Sequence, residues 1–352
     1  MSGFMTLFSQ VLEQLRLAVV NVPGIAPLAD APFLFRPLVM VVLLGVVAGV
    51  IGVIINLRSA EFSAEAMVHA VFPGIVAGAV YWGINAIIPA ASVVAVAAAL
   101  VLTIVSHRSR RGEASEAGTA VVLTSFFSIG LILSLAKGDM SGQLEALMFG
   151  RLLEVTDERL AQAFIVCAIA LLLIVATWKE QVAYAFDRTG ARASGLRLLA
   201  LDLVLNTAIA AAVVSASTAV GTLLVIGYLV IPGATARILV SRVRSMVAVA
   251  IAVGVGGGYL GMLLMTLPET LDKPISPQAT VALVMTGILL LAVCVAAVRE
   301  RLRRPARRAR SAQSATAVST PTTASADGTV DRAGGPEGAA SAVAPMAEGG
   351  RV

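Results

Sequence analysis

A chain of 352 residues that is 58% hydrophobic and 13% charged, with a mean hydropathy of +0.91, is excluded from the ordinary soluble class, in which about a quarter of residues are charged. Its two cysteines, Cys167 and Cys294, lie in apolar runs and exclude both a disulfide framework and a cysteine metal site. The net charge of +5 reflects arginines that flank apolar stretches, so it follows membrane topology and gives no sign of nucleic-acid binding.

Residues 1–35 read as an N-terminal interfacial segment. Phe4, Leu7, Phe8, Val11, Leu12, Leu15 and Val19 recur at helical spacing, with Gln10, Glu13, Gln14 and Arg16 between them. That is the pattern of an amphipathic helix on a membrane surface. No basic region and no small-residue cleavage site mark it as a secretory signal. Pro23 and Pro27 are expected to close the helix.

Residues 36–298 form the predicted membrane domain. Apolar stretches lie at 37–57, 66–88, 90–105, 118–136, 160–177, 199–217, 219–231, 246–267 and 279–298. Several approach the ~20 residues needed to cross ~30 Å of hydrocarbon. The stretch at 219–231 is short, and Ser215 to Thr218 would suit a re-entrant turn. The predicted fold is therefore an all-α polytopic membrane protein with eight or nine transmembrane helices. The 31 glycines spread along the chain would let those helices approach closely.

Basic residues predict the orientation. Arg58 follows the first stretch, His107, Arg108, Arg110 and Arg111 the third, and Lys179, Arg188, Arg192 and Arg197 the fifth. Arg237, Arg242 and Arg244 follow the seventh. With alternating helices these loops share one side, which is cytoplasmic by the positive-inside rule. Opposite loops are poorer in net positive charge: 137–159 carries Asp139, Glu145, Glu154, Asp157 and Glu158, and 268–277 carries Glu269 and Asp272. Residues 299–310 hold seven arginines and one glutamate and read as a basic juxtamembrane segment on anionic lipid. Residues 311–352 are rich in Ala, Ser, Thr, Gly and Pro and are expected to form a disordered cytoplasmic tail.

Ionisable residues inside apolar helices are expensive and point to function. Glu65 and His69, four residues apart, share a helix face. A carboxylate with an imidazole suits a divalent cation or a proton relay, and equally suits a plain hydrogen bond that fixes helix packing. The second candidate begins at Pro232. There an apolar helix is expected to end at Pro232-Gly233 and pass through Ala234 and Thr235 into a short segment carrying Arg237, Arg242 and Arg244. This is either a loop or a docking surface for a cytoplasmic partner. No phosphate-binding G-x-x-x-x-G-K-[ST] is present, and Gly254 to Gly258 is followed by no lysine, so ATP hydrolysis would fall to another polypeptide.

These segments resemble the permease subunits of metal-type ABC importers, which move zinc, manganese or iron(II). Arg58, Glu65, His69-Ala70 and Pro73-Gly74 are similar to the family's Arg after the first helix, followed by G-D-A-x-x-H-A-x-x-P-G. Met148 to Thr156 is similar to L-F-G-x-L-L-x-V-T. Ile231 to Arg237 is similar to I-P-A-A-T-A-R, and Pro274-Ile275-Ser276-Pro277 stands where P-S-G-P is usual. Glu65 replaces the family's Asp, Val68 a small polar residue, and Gly233 the first Ala.

The resemblance implies the fold of the cobalamin and siderophore permeases, in a multi-pass protein of the bacterial plasma membrane with a cytoplasmic C-terminus. It also implies a non-catalytic subunit that pairs with a second copy of itself. A cytoplasmic ATPase dimer using ATP and Mg would dock on residues 232–244, and an extracytoplasmic binding protein would deliver the metal. No permanently bound cofactor is implied; the divalent metal is substrate, and Glu65 and His69 would line its pathway or brace the gating helices. The rivals are a siderophore or cobalamin permease, an ion-coupled secondary transporter and a membrane-embedded enzyme. Few mid-helix charges and no internal repeat weigh against the last two.

Overall fold

The computed structural model describes residues 2–22, 24–108, 112–136, 150, 152–217, 219–266 and 276–318. The predicted features at Arg110 and Arg111, at 137–149 and Arg151, at 268–275 and at 319–352 lie outside the described residues. In hydrocarbon, backbone N–H and C=O groups must be satisfied within the segment itself, and the described elements are accordingly all helical. In chain order these are α1 (Ser2–Val19), α2 (Ala26–Ala29), α3 (Pro32–Arg58), α4 (Glu61–Ala77), α5 (Ile87–Arg108), α6 (Gly112–Leu135), α7 (Asp157–Ala176), α8 (Trp178–Phe186), α9 (Arg188–Ala193), α10 (Leu198–Ser217), α11 (Thr222–Leu239), α12 (Val243–Thr266) and α13 (Pro277–Val318). Among the described residues, eight helices are long and apolar enough to cross a membrane: α3 to α7, α10, α12 and α13. The uncertain pair resolves into a full-length α10 and a shorter α11, whose apolar part is Leu224–Leu239.

Helix α3 is the hub. It packs most extensively against α12 and α11, while α4 packs on α5 and α6, and α10 on α5 and α7. Small residues make the closest crossings. A Cβ on Gly45 would lie 2.6 Å from the Val255 amide nitrogen, and one on Gly49 would lie 2.7 Å from the Ile251 Cα. A Cβ on Gly52 would run into the Leu229 carbonyl, and one on Gly233 into the Gly52 carbonyl. The buried Tyr228 hydroxyl points at two carbonyls, Val41 O at 2.9 Å and Gly254 O at 3.1 Å, and so ties α11 to α3 and α12.

Cross-helix contacts sort the helix ends. Arg58 reaches Asp202, His107 lies 3.8 Å from the same carboxylate, and Arg237 donates to the Asn56 carbonyl. The basic residues at the ends of α3, α5 and α11 therefore gather at one end of the bundle, here the Arg-rich end. At the opposite end Arg36 grips Asp157 through two hydrogen bonds, of 2.5 and 3.1 Å.

Three expectations are corrected. Helix α11 does not end at Pro232-Gly233; it runs through both to Leu239. A proline inside a membrane helix is tolerated where neighbours re-satisfy the local backbone. Here Gly52 and Gly233 let α3 lie close alongside, and the Asn56 amide joins the two helices by donating to the Val230 carbonyl at 3.2 Å; the carbonyl that loses its helical donor to Pro232 is that of Tyr228, four residues earlier. Helix α1 does not rest on a surface alone. It packs Phe8 and Leu12 on the core beside an apolar groove of about 320 Å³ that is also lined by Val39, Leu43, Leu160 and Phe164. The chain also divides into two units, Met1–Glu300 and Arg301–Val352. Helix α13 continues to Val318, past the predicted onset of disorder at 311; alanine and arginine, frequent here, are strong helix formers.

Overpacking a tight crossing costs about 1–3 kcal/mol. Gly52→Val is therefore expected to lower the unfolding temperature of the detergent-purified protein. Gly227→Ala, whose new Cβ would meet only the Ile231 Cδ1 at 3.6 Å, should leave it unchanged or raise it.

Candidate functional site

Glu65 and His69 lie about one and two turns into α4, at 1.5 Å rise per residue, counted from the Arg-rich end. They face out of the bundle: Glu65 is exposed and His69 half-buried. The expected side-chain bond between them is not what the structure shows. His69 Nδ1 lies 3.0 Å from the Glu65 backbone carbonyl. A carbonyl only accepts, so Nδ1 is the donor in this contact, which in the neutral ring makes Nε2 the acceptor. The His69 ring also meets the edge of Phe127 on α6, with centroids 5.3 Å apart and planes at 74°; Phe127 in turn packs on Phe72. The imidazole is thus held by one hydrogen bond and one aromatic wall. The Glu65 carboxylate has no hydrogen-bond or ion-pair partner among the described residues. Nor do three or more His, Cys, Asp or Glu side chains converge anywhere among those residues. One protomer therefore offers two donors and stops short of a metal cage.

The second candidate divides in two. Pro232, Gly233, Thr235 and Ala236 are buried and Ala234 half-buried, with the 232–236 stretch set against α3, whereas Arg237, Arg242 and Arg244 are exposed. Within the predicted docking surface only 237–244 offers charged groups to a partner. Thr235 is fully buried, and its Oγ1 has no hydrogen-bond partner among the described residues.

Two clusters escaped the sequence reading. At the Arg-rich end, Arg58 ion-pairs with Asp202, donates to Gln181 Oε1 at 2.6 Å and stacks over Tyr184, 4.0 Å from the ring centroid. Gln181, fully buried on α8, donates onward to the Leu201 carbonyl at 2.9 Å. The Tyr184 hydroxyl donates to Asp202 at 3.5 Å. Burial, then the Asp202 charge, push the Tyr184 phenol up from its ordinary value, so it remains a donor at neutral pH. The only hint in the sequence is an aspartate five residues into an apolar helix.

At the opposite end, Gly150 adopts a φ of 78°. It sits so close to the α10–α11 turn that a Cβ would collide with the Gly221 amide nitrogen. Gln278 Nε2 donates to the Gly150 carbonyl at 2.8 Å. Both the left-handed conformation and the close approach require glycine, which gives a physical reason for the glycine in Phe149-Gly150.

The sequence profile of the ABC 3 transport family matches residues 30–296. The manganese transport system membrane protein MntC of Listeria monocytogenes is 34% identical over 231 residues, covering 65% of this chain and 80% of that protein. The chelated iron transport system membrane protein YfeC of Yersinia pestis is 31% identical over 226 residues, covering 63% and 75%. Among solved structures, PsaBC from Streptococcus pneumoniae in complex with Fab superposes with a TM-score of 0.65 at 26% identity, covering 76% of this chain and 94% of that one. An inward-facing metal-chelate type ABC transporter superposes with a TM-score of 0.60 at 13% identity, covering 82% and 97%, and shares the fold.

Removing a buried, unpaired hydroxyl is near-neutral or stabilising, because its desolvation penalty of about 1–3 kcal/mol disappears. Thr235→Val is accordingly expected to keep or raise the thermal midpoint. A fall in the midpoint would show that the hydroxyl has a partner.

Proposed function

Because the chain belongs to the ABC 3 transport family, the metal-type ABC permeases, we propose that it is the membrane subunit of an importer that carries manganese(II) across a bacterial plasma membrane. One observation carries this reading: an exposed Glu65 carboxylate one helical turn from an imidazole that is oriented through Nδ1 by the Glu65 carbonyl. Carboxylate and imidazole donors suit a first-row divalent ion, and relatives named for manganese transport favour that metal. A conducting site must release what it binds. Two donors from each of two copies of the chain, meeting at the exposed α4–α6 seam, would form a four-donor site only in the dimer.

The Arg-rich end faces the cytoplasm on this reading, by the positive-inside rule. ATP hydrolysis belongs to a separate ATPase that docks there, and an extracytoplasmic binding protein delivers the ion to the opposite end. Exposed Arg237, Arg242 and Arg244 present the docking charges. A second docking surface is the amphipathic pair α8–α9, favoured by the burial of Pro232, Gly233 and Thr235 and by the 71% exposure of Phe186.

Radiolabelled manganese uptake by the complete reconstituted transporter tests the reading. Glu65→Gln and His69→Ala are expected to lower uptake with protein abundance and ATPase binding unchanged, and Glu65→Asp to be tolerated. Wild-type uptake in both loss variants would return the pair to helix packing. Orientation is tested in a Cys294→Ser background. A membrane-impermeant thiol reagent applied to intact cells should reach Ser276→Cys and miss Ser241→Cys; the reverse pattern would invert the topology. Replacing Arg237, Arg242 and Arg244 with alanine should weaken capture of the ATPase. Normal capture would leave docking to α8–α9.

A further inference from the structure

The Arg58 cluster joins parts of the bundle that the chain keeps far apart. Arg58 is the last residue of α3. Ser59, in the left-handed region with a φ of 51°, and Ala60 turn the chain directly into α4, with both of their amides bonded back to the Ile55 carbonyl. That turn is short and tied down, so a displacement of the Arg58 guanidinium passes to the start of α4, one turn from Glu65. On the other side of the guanidinium stand Gln181 and Tyr184 of α8, both buried although α8 also carries exposed residues. Asp202 of α10 closes the knot, facing Arg58, Tyr184 and His107 of α5. His107 Nδ1 is buried with no hydrogen-bond partner among the described residues, 3.8 Å from the Asp202 carboxylate. A charge held largely away from water is expensive to leave unpaired, so the loss of one partner is felt by the others. The network touches α3, α5, α8 and α10 at one point, at the end where basic residues gather.

We propose that Asp202 and Tyr184 are positioning residues that transmit movement of α8 to the metal-bearing helix α4 through Arg58. This rests on the reading of the Arg-rich end as the ATPase side. Tyr184 carries the guanidinium on its ring face and Gln181 accepts from it, so a shift of α8 drags Arg58. Asp202 holds the same guanidinium against α10, so that α4 moves as a unit with the frame. Neither residue touches the metal. Their work is to keep ATP hydrolysis and metal passage in step.

The test uses the complete transporter, with its ATPase and binding protein, in liposomes. Manganese(II) carried and ATP hydrolysed are counted in the same sample. Coupling between distant sites corresponds to roughly 5–150-fold effects. Asp202→Asn is expected to cut manganese carried per ATP by about tenfold, with abundance and ATPase binding unchanged. Asp202→Glu should recover part of that loss, and Tyr184→Phe should lose in the same direction to a smaller extent. A purely structural role would lower abundance and leave the ratio alone. An unchanged ratio in both Asp202→Asn and Tyr184→Phe overturns the proposal; if Asp202→Asn fails to insert, Tyr184→Phe decides.

A second readout needs no metal. Nitroxides on Phe62→Cys in α4 and Phe186→Cys in α8, in a Cys294→Ser background, should change separation when ATP binds. Tyr184→Phe should reduce that change, and an undiminished change contradicts the transmission. Absence of ATP-driven manganese uptake in the wild type would sink the transport reading and leave this distance measurement to judge the knot.

Discussion

Close backbone contact along α3 is the constraint on which the bundle depends. Lipid tails are as apolar as leucine, so helices in a membrane gain little by hiding apolar side chains from their surroundings; they associate by van der Waals packing and interhelical hydrogen bonds. Gly45, Gly49 and Gly52 remove every side chain from one stripe of α3, and Gly254 and Gly233 do the same on its partners. Backbone then meets backbone, and a single tyrosine hydroxyl spans the three-helix junction. This packing along the middle of α3 places its two ends at opposite faces of the bundle. Arg36 and Arg58 each become the anchor of a polar cluster at opposite faces of the bundle.

The charges divide into those that are tied and those that are left open. Arg58 with Asp202 and Arg36 with Asp157 are paired across elements more than a hundred residues apart in sequence. Arg58–Asp202 is largely shielded from water, and removing one partner of a buried pair is strongly destabilising, so this pair holds geometry; Arg36–Asp157 is more exposed and contributes less. Glu65 and His69 are different. The imidazole is oriented by a backbone carbonyl at Nδ1 and by an aromatic edge, and the carboxylate has no partner among the described residues. A group oriented but not satisfied is prepared for something that arrives from outside the protomer. Metal sites use the same device when a hydrogen bond to one imidazole nitrogen sets the orientation of the other.

Much of this was legible in the sequence because membrane helices announce themselves by length and apolar content. The spans around α3, α5, α7, α10 and α12 fell within a few residues of their final bounds. The Glu65–His69 pair was visible because a spacing of four places two side chains on one helix face whatever the surroundings. Pro232 reads as a helix end because its usual effect is local, whereas the close approach of Gly233 to Gly52 of α3, along which the helix continues, exists only in the folded bundle. Asp202 looked like an ordinary polar residue near a helix start, since its partners come from three other helices. Gly150 stood in a motif, yet the reason for it, a left-handed turn pressed against Gly221, exists only once the α10–α11 turn is formed.

The central claim is that the exposed pair on α4 holds the transported ion between two copies of the chain. Equilibrium binding of radiolabelled manganese(II) to the purified, assembled transporter tests it most directly. The account expects one specific ion for every two permease chains, and loss of that ion in His69→Ala at unchanged dimer content. Equal binding in wild type and His69→Ala would contradict it and place the ion elsewhere in the bundle.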